Sequence, residues 1–352
     1  MKDVLSNANF PQDAQGRTYH VATKAGQVAN RIITVGDQVR AHRIAKAFDG
    51  GKPLFEFNSQ RNFLTLTGTF KGVPISIVAI GMGFSVVDFF VRECRAVVEG
   101  EMIIVRLGSC GSLQPEYGIG TVVVPKASFG ISRNYDYFHH DTTADERRSG
   151  ALEPYLITKP LDADQEVHDA LLAALEADKP KNSAELFGGE EVKAAGDTVN
   201  ASADSFYGSQ GRIDPAFVDA NANLIDVIRE RRPGVATLEM ETFLLNHLAA
   251  AANDAIDLAQ KNGEQPVHKG KIRTGAVQMM CVPNSPASNT RADTDRSLAR
   301  NSFANRNTSA FISPEQCETL EHWAGKSVLT ALANIQIPNE RLHPSGVWNQ
   351  SA

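Results

Sequence analysis

Along the first third of the chain, short β-branched apolar runs alternate with stretches of helical spacing. RIITV (31–35) predicts a buried strand, and Gly36 then opens a helix running to about Phe48. FLTLTGTF (63–70) and PISIVAI (74–80) predict an antiparallel pair turning at Lys71 and Gly72. Ser85 to Val98 fits an amphipathic helix, MIIVRL (102–107) a buried strand and IGTVVVP (119–125) another. The most apolar run, 73–91, approaches bilayer length, but Pro74, Gly81, Gly83 and Asp88 punctuate it and Arg92 and Glu93 follow at once. A strand, a turn and a helix account for it, and no membrane partner is expected.

Beyond Pro125 the pattern predicts a helix near 163–176, a strand at 192–199, a helix at about 239–260, a strand at 272–281 and a last helix near 314–334. Polar, turn-rich stretches near 139–150, 177–189 and 252–270 read as surface insertions. Residues 282–311, poor in large apolar side chains, read either as a functional flap or as a mobile connection. No linker separates the halves. The expectation is an α/β fold: a single three-layer domain over 1–352, with a central mixed β-sheet flanked by helices and ligand sites beyond the strand ends.

Composition narrows the function classes. Hydrophobic residues at 42% and charged residues at 22% describe an ordinary globular chain with a sizeable core. With 41 acidic against 35 basic residues the net charge is −6, so there is no basic surplus for a phosphate backbone and nucleic acid is not the expected partner. The four cysteines lie far apart with no Cys-x-x-Cys, and the first residues hold no apolar export stretch. Disulfides, a cysteine zinc site and secretion are disfavoured, and a cytoplasmic location is expected.

Three sharp turns follow strands: Gly36-Asp37 with Arg40 one turn on, Gly81-Met82-Gly83, and Arg106-Leu107-Gly108-Ser109-Cys110-Gly111. Each alone is an ordinary turn. Together with Arg40, Arg61 and Arg106 they suggest an anion site, because an arginine inside MIIVRLG is costly to bury unless an anion or carboxylate awaits it. Thr237 to Glu241 reads as a helix start, where Glu239 and Glu241 flank Met240 and offer acceptors for vicinal hydroxyls above an apolar floor. The alternative is that they only complement the helix dipole. In Phe206 to Arg212, a glutamine amide matches the donor and acceptor edge of a pyrimidine, an arginine supplies charge and Phe206 a stacking face. A turn with a solvated arginine is the alternative.

Taken together these residues resemble the nucleoside phosphorylase family, and within it the uridine-cleaving branch, over roughly 18–281. The family's Gly-Asp-Pro strand end, with an arginine three residues on, resembles Gly36-Asp37-Gln38 and Arg40. Its Arg-x-Gly-Thr-x-Gly motif resembles Arg106 to Gly111, with Ser109 keeping the hydroxyl, and its Met-Glu-Met-Glu signature resembles Leu238 to Glu241. The segment Phe206 to Arg212 is similar to the uridine-specific loop.

The resemblance implies the nucleoside phosphorylase/hydrolase-like fold and reversible phosphorolysis of uridine to uracil and α-D-ribose 1-phosphate, with deoxyuridine as a candidate second substrate. It implies Arg106, Glu241 and Arg212 as catalytic, and Gly36, Arg40, Arg61, Arg106 and Ser109 around phosphate. It places His20, Glu239, Met240 and Glu241 at the ribose, and Phe206, Gln210 and Arg212 at uracil. Phosphate is a co-substrate and no organic cofactor is expected. No metal is expected either, since Asn62 stands where bacterial relatives often carry a glutamate linked to a cation. Arg61 and His20 match residues borrowed from a neighbouring subunit, which implies a homo-oligomer with interface active sites, a dimer being favoured. The purine branch places an aspartate after the strand matching 275–281, and GAVQMMC has no acid there. The alternatives are a purine nucleoside phosphorylase, a nucleoside hydrolase, or a catalytically silent nucleoside-binding protein.

Overall fold

The computed structural model describes residues 7–282 and 312–349. In chain order its elements are β1 (Arg31–Val35), α1 (Gln38–Ala45), β2 (Phe55–Asn58), β3 (Leu64–Phe70), β4 (Val73–Ala79), α2 (Phe84–Val97), β5 (Met102–Ser112), β6 (Thr121–Arg133), α3 (Tyr135–Phe138), α4 (Ala144–Arg148), β7 (Tyr155–Ile157), β8 (Leu161–Asp162), α5 (Gln165–Ala177), β9 (Lys193–Ala203), α6 (Leu224–Arg231), β10 (Val235–Glu239), α7 (Thr242–Lys261), β11 (Ile272–Val282) and α8 (Pro314–Asn334).

All eleven strands join one mixed sheet in the order β10-β9-β6-β11-β5-β1-β4-β3-β2, with β7 and β8 added on β6. β10 also pairs with β5, so five strands close on themselves at one end. β1 runs parallel to β4 on one side and β5 on the other, and all five of its residues are buried, as its unbroken apolar run requires. On one face Ile44 of α1, Leu171 and Leu175 of α5, and Leu320, Trp323 and Val328 of α8 pack against Ile33, Ile103 and Val277. On the other, Phe90 and Val91 of α2 and Leu245 and Leu248 of α7 cover Ile32, Val78 and Ile104. The expected three layers are present. No helix among the described residues is long and apolar enough to cross a membrane.

Local chemistry sets the boundaries. Asp37 caps α1 by accepting from Val39 N (2.7 Å) and Arg40 N (3.2 Å), so Gly36 stays outside the helix and the helix ends at Ala45, short of Phe48. Lys71 and Gly72 both take positive φ, the geometry of a tight hairpin, and Asp49 accepts from both of their amides.

Four expectations change. Arg106 to Gly111, expected as a turn after a strand ending at 107, continues β5 to Ser112 because it pairs with β11 along its length. VATLE (235–239) is a fully buried strand rather than the start of a helix, because it bridges β9 and β5; Glu239 therefore ends β10, and α7 begins at Thr242 with Glu241 at its cap. The polar stretch expected as an insertion at 252–270 is helical to Lys261, since Ile256 keeps the α7 stripe buried. The 177–189 stretch is not purely surface: Phe187 is buried in the core beside Gly120. Residues 139–150 are largely exposed around α4. The stretch expected as a flap, 282–311, lies outside the described residues apart from its first position.

Candidate active site

The carboxyl ends of β1, β5 and β10, the turn after β4 and the loop after β9 meet around a cavity of about 360 Å³. Its wall includes Gly36, Asp37, Arg40, Arg106 and Ser109 at one end, Met240 and Glu241 between, and Phe206, Gln210 and Arg212 at the other. Segments more than two hundred residues apart in sequence thus share one space.

The anion end is built on Arg106. Its side chain is only 5% exposed, and Nη2 lies 2.9 Å from Glu241 Oε2. Nε and Nη1 have no hydrogen-bond partner among the described residues. The space around it exists because two neighbours lack side chains: a Cβ on Gly36 would stand 3.4 Å from Nη2, and one on Gly108 3.4 Å from Nε. A buried cation with two unpartnered nitrogens, carrying three N–H donors, is a poor structural element and a good anion seat. Arg40 enters the same wall from α1, and its Nε is held at 2.8 Å by Glu321 Oε1. Glu321 also takes Arg43 Nη1 at 2.6 Å and is itself buried on α8. Sequence reasoning did not find this carboxylate. The available signal is an acid between Leu320 and Trp323, on a face where an unpaired charge would be expensive.

The two glutamates differ in what they have left to offer. Glu241 Oε1 accepts from Gly83 N (2.7 Å) while Oε2 faces Arg106. Burial pushes its carboxyl pKa up, Arg106 opposes this and Glu239 adds to it. Glu239 accepts from Asn200 Nδ2 (2.8 Å), Ser202 Oγ, Glu241 N (2.9 Å), Thr242 N (3.0 Å) and Thr242 Oγ1 (2.9 Å). Its carboxylate lines the cavity and also ties β9 to the turn from β10 into α7. Replacing Glu239 by Ala strands several buried donors at once and is expected to lower stability by about 2 kcal/mol or more, read as a shift of the denaturant midpoint.

At the far end, Gln210 Oε1 and the Phe206 carbonyl both accept from Arg212 Nη1 at 2.5 Å, and the Arg212 guanidinium lies 3.7 Å from the Phe206 ring centre. Burial lowers the Arg212 pKa to about 10, which leaves it cationic near neutrality. Nothing acidic comes from 275–281: Gln278 donates to Thr242 Oγ1 (3.1 Å) and Cys281 reaches the wall.

Two expected residues lie outside this wall in their own chain. Arg61 Nη2 donates to the Tyr19 hydroxyl at 2.5 Å, with its guanidinium 4.4 Å from that ring's centre. His20 Nδ1 lies 2.6 Å from Glu93 Oε1 and its ring stacks on Phe89 at 3.8 Å. Among the described residues the one grouping with metal-ligand spacing is His139, His140 and Asp141, all exposed and none in the wall.

The family comparison agrees with this architecture. A model described as the phosphorylase superfamily matches residues 30–283, and the chain belongs to that superfamily. A uridine phosphorylase of Thermococcus kodakarensis is 31% identical over 252 residues, covering 71% of this chain and 78% of that protein. A solved structure from work on two diverse uridine phosphorylases of the oomycete Phytophthora capsici is 32% identical, with a TM-score of 0.75, over 95% of this chain and 100% of that one. A DeoD-type purine nucleoside phosphorylase of Geobacillus kaustophilus is 35% identical over 105 residues, only 30% of this chain and 43% of that protein.

Proposed function

We propose that the chain is a uridine phosphorylase, cleaving uridine with inorganic phosphate to uracil and α-D-ribose 1-phosphate. One observation carries this reading: a single cavity holds the buried Arg106–Glu241 pair, with two unpartnered guanidinium nitrogens among the described residues, at one end and the Gln210–Arg212 pair at the other. Uracil release from uridine that requires phosphate is the experiment that tests it.

As the N-glycosidic bond lengthens, positive charge grows on the ribose and negative charge on the departing base. Phosphate, held by Arg106, Arg40, Ser109 and the Gly36 backbone, meets the ribose carbon on the side opposite the base. Glu241, fixed by Gly83 and Arg106, accepts from the sugar hydroxyls with Met240 as the apolar wall. Arg212, oriented against Gln210, faces the growing charge on the base, with Phe206 alongside the ring. Glu239, in the same wall, holds the Glu241 backbone in place. The nucleophile is phosphate itself, so the reaction calls for no organic cofactor.

A purine substrate is disfavoured by the lack of an acid within 275–281, and a hydrolase would have no use for the cationic anion seat. Four free thiols suit a reducing cytoplasm.

The same reading assigns Arg61 and His20 to a neighbouring subunit's site in a homodimer. Mixing inactive Arg61→Ala subunits with inactive Glu241→Ala subunits is expected to restore activity, because one of the two sites in a mixed dimer carries neither lesion. Absence of rescue after demonstrated subunit exchange would show that each chain builds its site alone.

A further inference from the structure

Behind the loop that carries Gln210 and Arg212 sits a buried side chain that the proposed reaction does not use. Asn221 Nδ2 donates to the Gly208 carbonyl (3.0 Å) and to the Arg212 carbonyl (2.8 Å). One carboxamide thereby brackets the turn from its first residue to its last. Within that turn, Gly211 N donates to the Gly208 carbonyl and Arg212 N to the Tyr207 carbonyl, both at 3.1 Å, and the Ser209 hydroxyl donates to Asp204 at the end of β9, so Asn221 is the second anchor and the one that reaches the Arg212 backbone. Gly211 has a φ of +70°, and a Cβ there would meet Ile225 Cγ1 at 2.9 Å, so the turn has little freedom to reshape itself.

The segment carrying Asn221 is itself anchored to the sheet. Arg133, at the end of β6, pairs with the Asp219 carboxylate and donates from Nη2 to the Val218 carbonyl at 2.9 Å. The Tyr155 hydroxyl of β7 donates to the Asp219 carbonyl at 2.7 Å. A line of directed bonds therefore runs from two strands through 218–221 to the backbone beneath Gln210 and Arg212.

We propose that Asn221 is a positioning residue for base recognition, holding the Gly208 and Arg212 carbonyls at the spacing that lets Arg212 bond Gln210 and Phe206 together. The inference rests on the base-reading role proposed for that loop. Asn221 does not touch substrate; it acts by keeping two side chains in register, where an error of about 1 Å can cost on the order of 10²-fold in rate. Its two N–H donors are what matter, since its shape alone would not hold two carbonyl oxygens.

Steady-state kinetics of Asn221→Asp, Asn221→Ala, Arg212→Met and the double variant Asn221→Ala/Arg212→Met test this. Asn221→Asp keeps the volume but turns an acceptor toward both carbonyls. It is expected to lower kcat/KM for uridine by roughly 10- to 100-fold while the phosphate KM stays within about twofold. Asn221→Ala should show the same split, and it serves alone if the aspartate variant does not fold. In the Arg212→Met background the Asn221→Ala change should add less than about threefold, because both act through one guanidinium. Wild-type uridine kinetics in both Asn221 variants, equal losses toward uridine and phosphate, or full additivity with Arg212→Met would each overturn the proposal. A silent Arg212→Met would overturn the base-reading role itself, and this inference with it. An impaired Arg212→Met beside normal Asn221 variants overturns the inference alone.

Discussion

Replacing Arg106 by Ala is expected to lower kcat/KM for phosphate by about 10²-fold or more while the protein remains folded. The scale is that of losing one charge-stabilising donor group in a water-poor site, about 2.7–4 kcal/mol. Two features make Arg106 the dominant contributor. Its Nε and Nη1 are buried without a partner, so bound anion supplies what the fold withholds, and its third nitrogen fixes Glu241. Removing it leaves Glu241 buried without its counter-charge, which pushes that carboxyl pKa further up and favours its neutral form. The loss should therefore appear in ribose affinity as well as in phosphate saturation. Arg106→Lys, which restores charge without the planar fork, should recover only part of it. Initial rates against phosphate concentration decide the matter. A folded Arg106→Ala enzyme with unchanged phosphate saturation would remove this residue from the anion seat.

Replacing Arg212 by Met is expected to depress kcat/KM for uridine by roughly 10²-fold, with most of the loss in kcat. Charge on the base develops only as the glycosidic bond breaks, so a cation at that edge stabilises the transition state more than the bound ground state. Burial brings the Arg212 pKa to about 10, about three units above neutrality, so the charge is present throughout the neutral range. The Gln210 and Phe206 contacts fix where that charge sits. The variant should gain nothing toward inosine, since no acid reaches the purine from β11. Uridine turnover that survives the substitution would mean the loop does not read the base.

The sheet was legible because its central strands are continuous apolar runs. β1 coincides with RIITV, and α8 falls where 314–334 was expected. What escaped were elements whose pattern is set by tertiary neighbours. FEFN (55–58) forms the edge strand β2 with alternate residues exposed, too short a signal to separate from a loop. VATLE joins a helical run in sequence and is separated from it only by pairing with β9 and β5. The site was readable where chemistry and cost coincide, as with Arg106 inside a buried strand. The structural part of Glu239 was not readable, because Asn200 and Ser202 of β9 and Thr242 of α7 converge on that carboxylate, and no local pattern announces such convergence. Glu321 and Asn221 were missed for the same reason: each acts by holding another functional residue from far along the chain or from behind its loop.

One assay bears most directly on the proposed activity: product formation from uridine, with and without inorganic phosphate, alongside inosine under the same conditions. Uracil and ribose 1-phosphate should form from uridine only when phosphate is present, and inosine should be cleaved far more slowly. Uracil and free ribose appearing without phosphate, or inosine cleaved as fast as uridine, would contradict it.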